Sequence, residues 1–218
     1  MRRQYHKDTF DKISPAKRRR VLQTAVREFS RYGYEAVSIN HIAEKADISV
    51  GSIYTYFKSK QDLFLAVAAE GYKLLLNAEI DFGETSGELR QDLYRLFEMT
   101  VRYSKKHANM LKLKHMLSTE EMSYLSSGMA NQFDEGFLHI YHSILEAAIE
   151  RGELAKDLNI NLAAWTIDNM LDSLQLAVSN RYHKRRLALY LGSDETIEDE
   201  TLIQALTDFV YQGLRQSL

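Results

Sequence analysis

The sequence predicts an all-α chain in which an N-terminal three-helix helix-turn-helix domain precedes a larger helical body. Three observations carry this prediction. One proline and ten glycines among 218 residues are few breakers. Apolar residues recur at spacings of three and four through most of the chain. Residues suited to helix caps stand just before these apolar stripes.

The elements follow in order. Ser14 is placed to cap a first helix, and Pro15 takes its first position, where a missing N–H costs nothing. Leu22, Ala25, Val26 and Phe29 form its stripe, and Gly33 is the stop. Ser38 opens a short second helix with Ile42, Ala43 and Ala46 inward. Asp47-Ile48-Ser49 makes a tight turn, and Ser49 caps a short third helix through about Phe57. Ser59 caps a longer fourth helix carrying Leu63, Phe64, Val67 and Tyr72. Gly83 to Gly87 reads as a linker. Beyond it, a helix near 88–105 turns Leu89, Leu93, Leu96, Phe97, Thr100 and Val101 inward, and another covers 107–116. Ser118-Thr119-Glu120-Glu121 is a capping-box pattern for a long helix to about Arg151. Helices over 159–186 and 198–216 close the chain. The expected division is 1–58 for the N-terminal arm and helix-turn-helix domain and 59–218 for the body, with the helix from 59 to about 80 as the connecting lever.

Composition narrows the function classes. The absence of cysteine removes disulfides, thiol nucleophiles and cysteine-based zinc sites. No apolar run is long enough for a membrane helix, and MRRQYHKDTFDK lacks the apolar core of a secretory signal, so a cytoplasmic location is expected. Net charge is −2, yet residues 1–60 hold 13 Lys and Arg against 6 Asp and Glu. The remainder holds 15 against 24. A basic head on an acidic body points to a polyanion as the partner of the head.

A helix, a three-residue turn and a second helix make the helix-turn-helix pattern, whose second helix enters the DNA major groove. Ile53 and Phe57, four apart, share its inward face. Gly51 allows close approach of backbone, Ser52 and Thr55 can bond base edges or phosphates, and the Thr55 methyl suits thymine. Tyr54 and Tyr56 suit phosphate oxygens. Lys58 and Lys60 lie at the next helix start, where amides also favour an anion, and Lys17 to Arg20 read as phosphate contacts with Arg2 and Arg3 reaching a groove.

From Phe29 to Phe64, FSRYGYEAVSINHIAEKADISVGSIYTYFKSKQDLF resembles the DNA-binding domain of the TetR family of bacterial transcriptional regulators. The resemblance implies DNA contacts from Ser38, Ser49, Gly51, Ser52, Tyr54, Thr55, Tyr56 and Lys60, to which the basic run adds Lys17. It also implies double-stranded DNA with a near-palindromic site as partner, a homodimer formed by the last two helices, a ligand pocket in the body and repression relieved by a small molecule.

In the body, Met99, Tyr103, Met110, Phe133, Phe137, Tyr141 and Trp165 are candidates for a pocket around a small, largely apolar ligand, with Asp168 and Asn169 as polar points. Leu174, Val178, Leu202, Leu206, Phe209 and Val210 are candidates for a dimer seam, since the helix over 159–186 is apolar on more than one face and the final helix offers a second apolar stripe. Arg181 to Arg186 reads as a solvated helix end. No Ser/His/Asp set, HExxH or glycine-rich phosphate loop occurs at usable spacing, so no enzyme, cofactor or metal is expected. The alternative is a helical ligand-binding or partner-binding protein without DNA readout.

Overall fold

The computed structural model describes residues 4–119, 122, 130–192 and 197–215, with side chains described outside 72–81 and 130–136. Among the described residues the regular structure is helical throughout. The chain divides into two compact units: residues 1–75 with 109–130, and residues 76–108 with 131–218. The division falls within a helix rather than at residue 58, where the sequence-based boundary stands.

The first unit holds α1 (Asp8–Asp11), α2 (Pro15–Ala36), α3 (Ile39–Lys45), α4 (Val50–Tyr56), the start of α5 (Lys60–Phe82) and nearly all of α7 (Ala108–Leu117). Ser14 Oγ accepts the Lys17 amide at 3.3 Å, and Pro15 follows as expected. Gly33 interrupts α2 at φ 82°, a left-handed conformation that glycine takes without a Cβ penalty. The buried stripe of α2 is Val21, Thr24, Ala25, Glu28 and Phe29, with Leu22 and Val26 only half-buried. It lies one residue away from the purely apolar stripe because Glu28 is carried inside. Its carboxylate meets His41 Nε2 of α3 at 2.8 Å, which offsets the cost of burying the charge. Phe29, Ile42, Ile53, Phe57 and Phe64 are wholly shielded from solvent. Burying each such side chain contributes about 2 kcal/mol, so the short helices are held by this shared core more than by their own length. Gly71 lies against α7: a Cβ there would fall 2.5 Å from Met110 Sδ, so only glycine lets the methionine seat.

The second unit is built on α6 (Leu89–Lys106), which packs against α9 (Ile160–Ser179) and α11 (Asp199–Arg215). It also holds α8 (Ala130–Glu150) and α10 (Arg181–Leu191). Leu93, Leu96, Phe97, Ile144, Leu145, Ala164, Ile167 and Leu171 fill its core. The linker between α5 and α6 is tied down by Asp92, wholly buried, whose Oδ1 accepts the Ser86 amide at 2.7 Å and pairs with Arg95 at 3.3 Å. The Glu153 carboxylate accepts the Leu89 amide at 3.1 Å, satisfying a free donor at the α6 N-terminus. The helix expected over 159–186 is two helices. Asn180 ends α9 and caps α10, its Oδ1 accepting the Tyr182 and His183 amides at 2.9 and 3.3 Å. The long helix expected from Ser118 is described from Ala130, and its capping box falls partly outside the described residues.

Candidate nucleic-acid interface

Four helices position the candidate surface. Ser38 Oγ accepts the His41 amide at 3.1 Å and starts α3. Ala46 ends α3, and Asp47 turns the chain with φ 53°, a conformation asparagine and aspartate tolerate better than branched residues. Arg20 of α2 holds this turn, donating to Asp47 O at 3.4 Å and pairing with its carboxylate at 3.7 Å. Ser49 then starts α4 by accepting the Ser52 amide at 3.0 Å. The unit is the helix, tight turn and helix that the sequence predicts, with α2 as the support behind it.

The inward face of α4 is Ile53, Tyr56 and Phe57, and the outward face carries Gly51, Tyr54 and Thr55, with Ser52 half-buried. Tyr54 is 48% exposed. Ser38 and Ser49 are exposed as well. These outward groups differ in what they have left to offer. The Thr55 hydroxyl already donates to Gly51 O at 2.9 Å, leaving its methyl and acceptor lone pairs free for another molecule. Ser49 and Ser52 share a hydroxyl hydrogen bond of 2.8 Å, so the pair retains donor capacity that one partner or the other can redirect.

Tyr56 requires a correction. Expected as a phosphate contact, it is 6% exposed and packs its ring 5.5 Å from Phe10, with the Lys17 ammonium 5.7 Å from the ring centre. The cause is α1, whose Phe10 turns that side of α4 into core. Lys17 is half-buried and stacked on this ring. Lys60 donates to Glu35 O at 3.0 Å and lies 4.6 Å from the Tyr34 ring centre, so its charge is held at the edge of α2. Arg18 donates to Asp11 O at 2.6 Å, whereas Arg19, Lys45 and Lys58 are exposed. Arg2 and Arg3 lie outside the described residues.

The second unit redistributes the other candidates. Met99 and Tyr141 are core residues, 5% and 4% exposed, and the Tyr141 hydroxyl donates to Asp168 at 2.8 Å. Tyr103 and Phe137 are partly buried against the same core. Trp165 is 62% exposed and Asn169 donates to Trp165 O, so both sit on the outer side of α9. Met110 belongs to the first unit, and the Phe133 side chain lies outside the described residues. Leu174, Val178, Leu202 and Val210 are 4–9% exposed within a single chain. Their area is already removed from water, so they have little left to give a partner. Leu206 is half-buried, and Phe209 is 71% exposed. On α9 and α11 the outward apolar side chains are Leu162, Trp165 and Phe209, beside a groove of about 270 Å³ between the two helices. Sequence periodicity marks which helices are apolar on two sides. It does not show which side the chain itself covers.

Arg185, Arg186, Tyr182 and Tyr190 stand outward on α10, none of whose residues is buried. The carboxyl of Glu200 at the α11 start is held below the usual carboxylate range by hydrogen bonds from Gln204 and Tyr94, and the Tyr94 hydroxyl is raised in return. Burial, with help from Lys106, lowers His107. Among the described residues no group of three or more His, Asp or Glu is placed to hold a metal, and no helix is long and apolar enough to cross a membrane.

Sequence reasoning missed Lys7 and Thr9, whose side chains reach α4 across 46–47 residues of chain. The isolated Phe10 among polar neighbours was the available signal for a packed N-terminal segment.

Comparisons with known proteins bear on this geometry. The family model "Bacterial regulatory proteins, tetR family" matches residues 21–67, from α2 into α5. An uncharacterized HTH-type transcriptional regulator of Mycobacterium bovis is 26% identical over 135 residues, 62% of this chain and 64% of its own. The chain thus spans less than two thirds of the length of that relative. The fatty acid metabolism regulator protein of Bacillus subtilis is 24% identical over 70% of this chain and 78% of its own. Among solved structures, the fatty acid degradation regulator FadR from Bacillus halodurans superposes with a TM-score of 0.69 at 20% identity, over 94% of this chain and 98% of its own. FadR from Bacillus subtilis in complex with stearoyl-CoA gives 0.66 at 20% identity, over 91% and 98%. AibR in complex with isovaleryl coenzyme A and operator DNA gives 0.65 at 14% identity, over 89% and 98%. At these identities the structural likenesses speak for the fold.

Proposed function

The chain belongs to the TetR family of bacterial regulatory proteins, and from that premise we propose that it is a sequence-specific DNA-binding transcriptional regulator. It acts as a homodimeric repressor that a small molecule releases from its operator. The observation that carries the reading is the outward face of α4. Gly51 and the polar Tyr54 and Thr55, with Ser52 half-buried beside them, are presented on a seven-residue helix locked from behind by wholly buried Ile53 and, at its end, Phe57. The excess of 13 basic over 6 acidic residues in 1–60 supports a polyanion on that side. Ser38, Ser49, Lys17 and Lys60 are assigned to the rim, where Lys17 and Lys60 support backbone contacts.

The dimer is formed by α9 and α11 through the exposed Leu162, Trp165 and Phe209, with Leu206 beside them. A two-fold axis then sets two copies of α4 about one DNA turn apart, roughly 34–36 Å. The ligand is a small, largely apolar molecule bound in the second unit. Acyl-coenzyme A thioesters are the first class to try, because two structural neighbours are complexes with them. DNA and ligand prefer different conformations of the dimer, so each weakens the other's binding by the same factor.

Affinity for duplex DNA at several salt concentrations tests the reading. A DNA reader that neutralises several phosphates loses roughly a thousandfold in affinity between about 50 and 200 mM salt. A flat response would contradict it.

A further inference from the structure

The last turn of α4 leaves the carbonyls of Tyr54, Thr55 and Tyr56 without an amide of their own helix, because the chain becomes extended at Phe57. All three are met by the segment that precedes α2. The Lys7 ammonium donates to Tyr54 O at 2.6 Å, the Thr9 hydroxyl to Thr55 O at 2.5 Å, and the Lys7 amide to Tyr56 O at 2.8 Å. Phe10 anchors the segment, 2% exposed and 4.8 Å from the Phe57 ring centre. Arg18 of α2 closes it from behind, donating to Asp11 O at 2.6 Å.

We propose that Lys7 to Asp11 form a clamp on the C-terminal end of α4, and that Lys7 and Thr9 are positioning residues for DNA readout. The proposal rests on the reading of α4 as the helix that meets DNA. A helix of seven residues is too short to hold its own last turn, so its order comes from tertiary contacts. The clamped carbonyls include those of Tyr54 and Thr55, the residues that face outward, so the clamp fixes the backbone from which both side chains project. Recognition needs side chains held to within about 0.5 Å, which a frayed turn does not provide. The Lys7 charge also complements the carbonyl end of the helix.

The test uses the full chain with Lys7→Met, Thr9→Val and Thr9→Ser. Affinity is measured for the chain's preferred duplex and for a random duplex over a salt series, and amide hydrogen exchange is followed in the free protein. Thr9→Val should weaken binding to the preferred duplex about tenfold, the effect of losing roughly one hydrogen bond. Affinity for the random duplex and the salt slope should hold, Thr9→Ser should restore binding, and exchange should quicken in α4 but not in α2. Unchanged preferred-duplex affinity and unchanged exchange in Thr9→Val would overturn the clamp. If Lys7→Met weakens both duplexes equally and lowers the salt slope by about one phosphate, Lys7 is a phosphate contact and its positioning role fails. A wild-type chain that binds no duplex overturns the DNA reading itself. The exchange arm, which needs no DNA, tells that failure from failure of the clamp.

Discussion

Thr55 separates two ways in which α4 can meet a base, and a pair of substitutions resolves them. Its hydroxyl donates to Gly51 O at 2.9 Å, so the proton is committed inside the helix. A base acceptor would have to compete for it. The methyl group has no such commitment, and contact with a thymine methyl is its natural use. Thr55→Ser keeps the hydroxyl and removes the methyl, whereas Thr55→Val keeps the methyl and removes the hydroxyl. Burying one methyl-sized group is worth about 0.8 kcal/mol, or about fourfold in affinity at a single base pair. Because Thr55 is exposed in the free protein, stability should change by less than about 0.5 kcal/mol in either variant. The assay is titration of duplexes that differ at one position, at fixed salt, with thermal denaturation as a control. Thr55→Ser should flatten the preference for thymine, and Thr55→Val should retain it. If Thr55→Val loses the preference and Thr55→Ser keeps it, the hydroxyl is the reading group and the argument from the Gly51 hydrogen bond fails.

Other consequences are equally measurable. Ile53→Ala, at a wholly buried position, should cost about 2–5 kcal/mol and lower the thermal midpoint. At Asp47, with φ 53°, replacement by Val should destabilise by about 1–2 kcal/mol while Gly changes little, read by denaturant unfolding. Phe209→Arg should give folded monomers in sedimentation velocity, whereas Leu202→Arg should unfold the chain, because Phe209 is 71% exposed and Leu202 9%. Glu200 is held below the usual carboxylate range in the folded state, so its contribution is present above that range and lost as pH falls through the lowered value. Tyr94→Phe should move the Glu200 titration upward in an NMR pH series, since one of its two hydrogen-bond donors is removed.

Much of the first unit is legible in the sequence because its signals are local. Ser14, Ser38, Ser49 and Ser59 each accept the amide three residues on, as their places before apolar stripes predict. Ile53 and Phe57 follow from spacing alone. Tyr56 does not, because what buries it is Phe10, which the chain brings from 46 residues away. Glu28 is misplaced by periodicity for a related reason: a carboxylate is read as solvated until its partner His41 is known. In the second unit, the apolar pattern identifies the stretch of α9 as two-sided and gives α11 an apolar stripe. Which seam candidates stay outside, Phe209 but not Leu174 or Val210, depends on how α6 packs against both helices. That seating is a packing outcome with no marker in the local sequence. Asn180 could have been read as a helix break from its capping chemistry, yet the apolar pattern carried on across it.

Selection of binding sites from random duplexes by the wild-type chain tests the central claim most directly. The account predicts enrichment of a near-palindromic site with two half-sites about one helical turn apart, roughly 10 base pairs between centres. Enrichment of no sequence would contradict it and leave the exposed face of α4 without a reading role.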